Sequence, residues 1–206
     1  MPFYYPNRPT LVPPDPINPL NPSSDYIDSL EDQNKYIGEY KWNGDNTTVY
    51  TSNMTFFNRE GRPLHYTPHP DLLEELSAFP RGCILNGELM HRHTKKVKDL
   101  LILHCVMAWK GHQLFGKTWA DSRKILEDMN LIQTKGTSLV YDAHLVTAAN
   151  YGSGFWGMFQ EAVACDEAIE GIVLKNPKGK LVFSVNPITD VSWLIKIRKP
   201  SNKYSF

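Results

Sequence analysis

Five short segments place charged side chains where charge is costly or where a nucleophile could work. Lys41 ends a β-patterned run, Gly38-Glu39-Tyr40-Lys41-Trp42-Asn43-Gly44, just before a glycine turn. A lysine amine attacks only after losing its proton, so a reactive Lys41 needs desolvation and nearby cations, such as a metal, Lys196 or Arg59. Asn58-Arg59-Glu60-Gly61-Arg62 runs a strand into a turn that carries two arginines. In Ile84-Leu85-Asn86-Gly87-Glu88-Leu89, alternation puts Glu88 on the face of Asn86, opposite Leu85 and Leu89. An inward carboxylate is costly unless a partner, a metal or a ligand hydroxyl meets it. In Glu170-Gly171-Ile172-Val173-Leu174-Lys175, Val173 and Lys175 share one face, and Lys175 with an acid such as Glu170 is expected to bracket one site. Lys196 and Arg198, two apart in a strand, also share a face, where a phosphate between them would relieve their repulsion.

Taken singly, each segment has an ordinary explanation: a surface lysine before a turn, an exposed loop, a solvated face. Five in this order over residues 41–198 are more specific. They resemble the covalent nucleotidyltransferase superfamily of ATP-dependent DNA ligases, RNA ligases and mRNA-capping guanylyltransferases. The resemblance implies an α+β, ATP-grasp-like ligase adenylation domain, with antiparallel sheets flanked by helices. Lys41 in KWNG matches the nucleophile of the KxDG motif. Arg59 matches an arginine that contacts the nucleotide and its phosphates. Glu88 matches the glutamate that holds the ribose, and it is expected near the metal with Glu170, the acid of EGIVLK. Lys175 closes that motif, and Lys196 and Arg198 match the final pair at the α-phosphate. Glu39 falls where ligases place an acid near adenine, and Tyr40 is grouped with it at the nucleotide. His104 falls where the family's aromatic stacks on adenine, within a stretch from His104 to Leu126 that resembles DNA ligases.

The pattern also departs from the family. Asn43 and Asn86 replace aspartates, and Arg198 replaces the last lysine. Asn46 stands where DNA ligases usually carry arginine, and it resembles the KxxGxN of nick-sealing RNA ligases. What the resemblance implies is self-adenylation of Lys41 by ATP with Mg²⁺ or Mn²⁺, AMP transfer to a 5′-phosphate, and attack by a 3′-hydroxyl. The expected partner is a nicked duplex, DNA ahead of RNA, bound by a monomer in replication or repair. Alternatives are an RNA ligase, a guanylyltransferase using GTP, or an inactive nucleotide-binding scaffold. Only eight residues follow Arg198, so no OB-fold is expected in this chain: either a domain is missing, or the chain is a minimal ligase, or a partner supplies those functions.

These residues need elements to position them. Residues 1–24 hold eight of the fifteen prolines and read as an extended arm, and residues 25–206 read as the nucleotidyltransferase domain. Strands are expected at Tyr36–Lys41, Thr47–Thr51, Met54–Asn58, Cys83–Met90, Leu100–Trp109, Ile172–Lys175, Leu181–Val185 and Trp193–Arg198. Helical spacing marks Asp71–Phe79, Trp119–Met129, Asp142–Ala149 and Gly157–Ala168.

Composition sets the outer limits. With 206 residues, 41% hydrophobic and five Trp, the chain can bury a substantial core. Lys and Arg equal Asp and Glu at 22 each, so a nucleic acid would have to meet a local basic surface, at Lys95, Lys96 and Lys98 or at Lys196, Arg198, Lys199 and Lys203. Cys83, Cys105 and Cys165 form no CxxC pair, which suits free thiols in a cytoplasmic or nuclear compartment. No basic segment followed by an apolar run suggests a signal peptide, and no apolar stretch nears the ~20 residues that span a bilayer. His91 and His93 make an HxH without another obvious ligand nearby, a weak metal signal.

Overall fold

The computed structural model describes residues 3, 5–11, 22–92, 97–138, 140–165, 168–182 and 190–200, arranged as two sheets with four helices. The smaller sheet joins β1 (Arg8–Leu11), β10 (Asp190–Arg198), β9 (Ile169–Lys175) and β2 (Ile37–Trp42), in that order. The larger runs through β4 (Thr55–Asn58), β3 (Asp45–Tyr50), β5 (Ile84–Met90), β6 (Leu100–Trp109) and β7 (His112–Gln113), with β8 (Leu145–Thr147) also paired to β6. Pairing is antiparallel except for β1 with β10 and β8 with β6. The fold is therefore α+β, as the sequence pattern implied, with two parallel pairs that it did not announce.

The helices seal the outer faces. Helix α1 (Ser24–Glu31), capped by Ser23, and α4 (Phe155–Ala164) cover the smaller sheet with Ile27, Leu30, Phe155 and Phe159. Helix α2 (Pro70–Ser77) and α3 (Trp119–Asp128) cover the larger one with Leu72, Leu76 and Leu126. A reciprocal Thr118–Asp121 capping box starts α3. Among the described residues, no helix is long and apolar enough to cross a membrane.

Three local expectations need correction. Asp142–Ala149 contains no helix; Leu145–Thr147 is a strand, buried throughout and rich in β-branched residues. Glu75 of α2 fixes its start by accepting from the N–H groups of His144 and Leu145. Leu181 and Val182 are not in a strand; Lys180 makes an isolated bridge to Thr118, and the rest of the expected Leu181–Val185 strand lies outside the described residues. Helix α1 is an element that the apolar spacing did not predict. In the proline-rich segment, Arg8–Leu11 adds an edge strand, a position that tolerates the missing donor of Pro9. His93, Lys95, Lys96 and Lys203 lie outside the described residues.

Candidate active site

The two faces of the smaller sheet have opposite characters. Register places Lys41, Gly171 and Arg198 in one row, and Glu39, Val173 and Lys196 in the next. Lys175 belongs to the same face by alternation. The other face carries Tyr40, Trp42, Ile172, Leu174, Ile195 and Ile197, all within the core shared with α1 and α4. Tyr40 thus lies on the apolar face, apart from the row of charged side chains. Alternation turns its ring away from Lys41, and its hydroxyl donates to Glu161 of α4.

Glu170 reaches the charged face through a bulge. Lys41 pairs with Gly171 and Trp42 with Ile169, which leaves Glu170 as the extra residue. Its Oε2 accepts from Lys41 Nζ at 2.5 Å and lies 3.4 Å from Arg198 Nη2. Gly171 allows this three-strand approach: a Cβ there would lie 2.0 Å from the Ile197 carbonyl oxygen. The expected pairing of Lys175 with Glu170 does not occur. Lys175 Nζ instead lies 2.6 Å from Glu39 Oε2 and 5.0 Å from the centre of the Trp119 ring. Both members of that pair are buried, so Glu39 and Lys175 form the floor of the site.

The larger sheet supplies the opposing wall. Asn46 and Glu88 are register partners, and Asn86 Nδ2 donates to Asn46 Oδ1 at 3.2 Å. Glu88 Oε1 accepts from Gly44 N–H at 3.1 Å, which ties the turn after Lys41 to β5. A Cβ on Gly44 would come within 2.6 Å of the Leu89 carbonyl oxygen, a physical reason for glycine three residues after the lysine. Burial pushes the Glu88 carboxyl up, Lys41 and His104 oppose it, and Glu170 adds to it. Lys41 and Glu170 of the smaller sheet thus both act on the Glu88 carboxyl of the larger one.

His104 also stands in a bulge. Gly87 pairs with Leu103 and Asn86 with Cys105, so His104 is extra in β6. The shift changes the phase of the strand: Leu101, Leu103 and Val106 point into the core under α2 and α3. His104 and Cys105 are left on the cleft side, where His104 Nδ1 lies 3.4 Å from Glu39 Oε2. Arg59 lies just past the end of β4, where its side chain is 78% exposed and its Nε is 2.6 Å from Oε1 of the adjacent Glu60.

The electrostatics follow from this geometry. Burial lowers the Lys196 ammonium to about 8, with Arg198, Arg8 and Lys41 adding repulsion. Burial alone would raise Glu39, but Lys175, His104 and Arg123 bring it down to about 2. Burial pushes the Cys105 thiol up to about 11, against the pull of Lys175. Sequence reading missed Arg123 and Asn150. With its amide oriented to satisfy both neighbours, Asn150 donates to Glu39 Oε1 and accepts from Arg123 Nε. Arg123 is detectable: it lies on the buried stripe of α3 with Trp119, Ser122 and Leu126, where a cation requires buried partners. Nothing in the sequence marked Asn150.

Glu88 of β5 and Glu170 of β9 are the carboxylates that could hold a hard divalent cation, which prefers oxygen ligands.

No protein-family model and no curated protein matches the sequence. Solved structures do match the fold. A mycobacterial DNA ligase D complexed with ATP and MES aligns with TM-score 0.54 and 16% identity, over 79% of this chain and 54% of that one. A Lig E DNA ligase, described as binding DNA with a minimal scaffold, aligns with TM-score 0.53 and 12% identity, over 80% and 62%. The ligase domain of M. tuberculosis LigD aligns with TM-score 0.54 and 16% identity, over 79% and 53%. The chain thus spans 53% to 62% of the length of these structures. Their shared architecture identifies the fold of this chain as that of a DNA-ligase nucleotidyltransferase domain.

Proposed function

We propose that this protein is an ATP-dependent polynucleotide ligase that adenylates itself on Lys41. The observation that carries the reading is the cluster of Lys41, Glu170, Arg198 and Lys196 on one sheet face, opposite Glu88, within a ligase nucleotidyltransferase fold. Lys41 Nζ loses a proton and attacks the α-phosphorus of ATP; an N–P bond forms and the bond to pyrophosphate breaks. Lys196 and Arg198 offset the charge that develops on the α-phosphate oxygens. Glu170 holds the lysine in line until the nucleotide arrives, and Arg198 provides the carboxylate with a second partner. Glu88 and Glu170 would hold Mg²⁺ or Mn²⁺, which supplies Lewis-acid neutralisation of phosphate charge. His104, Asn46 and Glu88 line the space for the nucleoside, and Glu39 and Lys175 stiffen it from below. AMP would then pass to the 5′-phosphate of a nick, DNA being the preferred polymer, and a 3′-hydroxyl would displace it.

An RNA nick is the second reading, favoured by Asn46, whose side chain bonds Asn86 beside Glu88. The test is intact mass after incubation with ATP and Mg²⁺. A gain of one adenylyl group, absent in Lys41→Ala, supports the reading; no gain in folded protein overturns self-adenylation and leaves an inactive scaffold. Labelling by GTP in preference to ATP would point to a guanylyltransferase. Nicked DNA and RNA duplexes, offered to the adenylated protein, then decide the polymer.

A further inference from the structure

Among the described residues, His69, Asp71 and His144 make a group of metal-capable side chains outside the cleft. His69 caps α2, Asp71 lies in its first turn, and His144 immediately precedes β8. Helix α2 packs through Leu72 and Leu76 onto the side of the larger sheet that faces away from Asn86 and Glu88. No part of the ATP chemistry involves these three residues.

The backbone of His144 is held firmly. Its N–H donates to Glu75, at 3.0 Å to Oε1, and its carbonyl accepts from Leu101 N–H at 2.8 Å. Its ring is held as well: Nδ1 lies 2.9 Å from the Asp99 carbonyl oxygen. A carbonyl only accepts, so Nδ1 carries the proton and Nε2 keeps its lone pair. This is the outer-shell arrangement that orients metal-ligating histidines. His144 Nε2 lies 3.8 Å from Asp71 Oδ2, and His69 Nδ1 lies 3.6 Å from the same oxygen. His69 Nδ1 accepts from Asp71 N–H at 3.3 Å, so it is the unprotonated nitrogen, and this long capping bond must give way for its lone pair to meet a cation. The two imidazoles stack at 4.4 Å, and one ligand atom from each residue falls within 4.8 Å of the others.

Tetrahedral zinc with bonds of about 2.0–2.1 Å needs ligand atoms roughly 3.3 Å apart. The two edges through Asp71 are already within half an ångström of that. Closing the set asks for rotation of the exposed His69 and Asp71 side chains, while His144 stays fixed. We propose that His69, Asp71 and His144 form a structural site for a borderline transition-metal cation such as Zn²⁺, which ties the start of α2 to β8. Two imidazoles and one carboxylate favour Zn²⁺, Co²⁺ or Ni²⁺ over Mg²⁺, which prefers oxygen ligands. The fourth position is left to water. Asp71 offsets the repulsion between a cation and the positive end of the helix.

The test is calorimetric titration of the full chain with Zn²⁺ in excess Mg²⁺, which occupies all-carboxylate sites. The expected result is saturable binding of about one equivalent, weakened roughly tenfold or more by His69→Asn and by His144→Ala. His69→Asn is the decisive variant, because asparagine still caps the helix. A Zn²⁺-dependent rise in Tm should disappear with it. If His144→Ala fails to fold, His69→Asn and Asp71→Asn carry the test. Absence of saturable binding, or binding as tight in His69→Asn as in wild type, overturns the proposal; the latter would place the ion on other histidines.

Discussion

Two lysine–carboxylate pairs lie on the same face of the same sheet, and they differ in what surrounds them. Lys175 and Glu39 are sealed, with side chains 6% and 1% exposed, and Glu39 is further held by His104 and Asn150. Lys41 and Glu170 are more open, at 18% and 20% exposure, and Arg198 shares the carboxylate. A sealed pair is fixed because separating it strands a charge where water cannot reach. An open pair can exchange partners when a phosphate or cation arrives. Identical chemistry is thus sealed as a strut at one place and left exchangeable at the other, and depth together with the neighbouring partners separates them.

Substitutions can break this contrast. The largest effect is on activity: Lys41→Ala should abolish the adenylyl adduct, read by intact mass, while thermal melting changes little. Glu39→Gln should cost about 3–5 kcal/mol in urea unfolding, because it leaves Lys175 buried without its counter-charge. Glu170→Gln should cost less, about 1–2 kcal/mol, yet slow adenylation roughly 100-fold or more in single-turnover assays. Equal destabilisation by the two glutamines would show that burial does not separate the two pairs.

Acid and base separate the regions further. Glu39 is held near 2 in the folded protein against an ordinary 4.5. A depressed carboxyl gives stability that is present above the ordinary value and lost as pH falls through the folded one. Unfolding free energy should therefore drop between about pH 4.5 and 2, and this part of the drop should vanish in Glu39→Gln. Lys196, lowered to about 8, should lose its charge as pH rises through that value. ATP affinity, measured in a Lys41→Ala background to remove the chemical step, should weaken above about pH 8. Lys196→Arg should abolish that alkaline loss. The smallest effect belongs to Tyr40→Phe: about 1 kcal/mol from the lost bond to Glu161, with adenylation unchanged. A fall in adenylation with stability intact would return Tyr40 to the site.

Period-two alternation explains how much was readable. It placed Lys196 with Arg198, and Val173 with Lys175, and it set Glu88 with Asn86 opposite Leu85 and Leu89. Applied to β2, the same rule would have excluded Tyr40, which was grouped with the nucleotide positions by resemblance alone. The place of Arg59 rests on motif resemblance alone, because alternation says nothing of a residue just beyond a strand end. The strand at Leu145–Thr147 is not legible in the sequence, because three residues are too short to show a period.

The sequence by itself determined the α+β class, most strands and helices, and the set of charged residues gathered along β2, β5, β9 and β10. Those follow from local side-chain periodicity and from glycines where backbones crowd. Only the tertiary structure decided which acid meets which lysine. Glu170 and His104 enter the cleft through bulges, and a bulge is fixed by the register between two strands distant in the chain. Likewise, Glu39 is a floor residue because Lys175, His104 and Asn150 converge on it from three other segments, and that depth exists only once they pack.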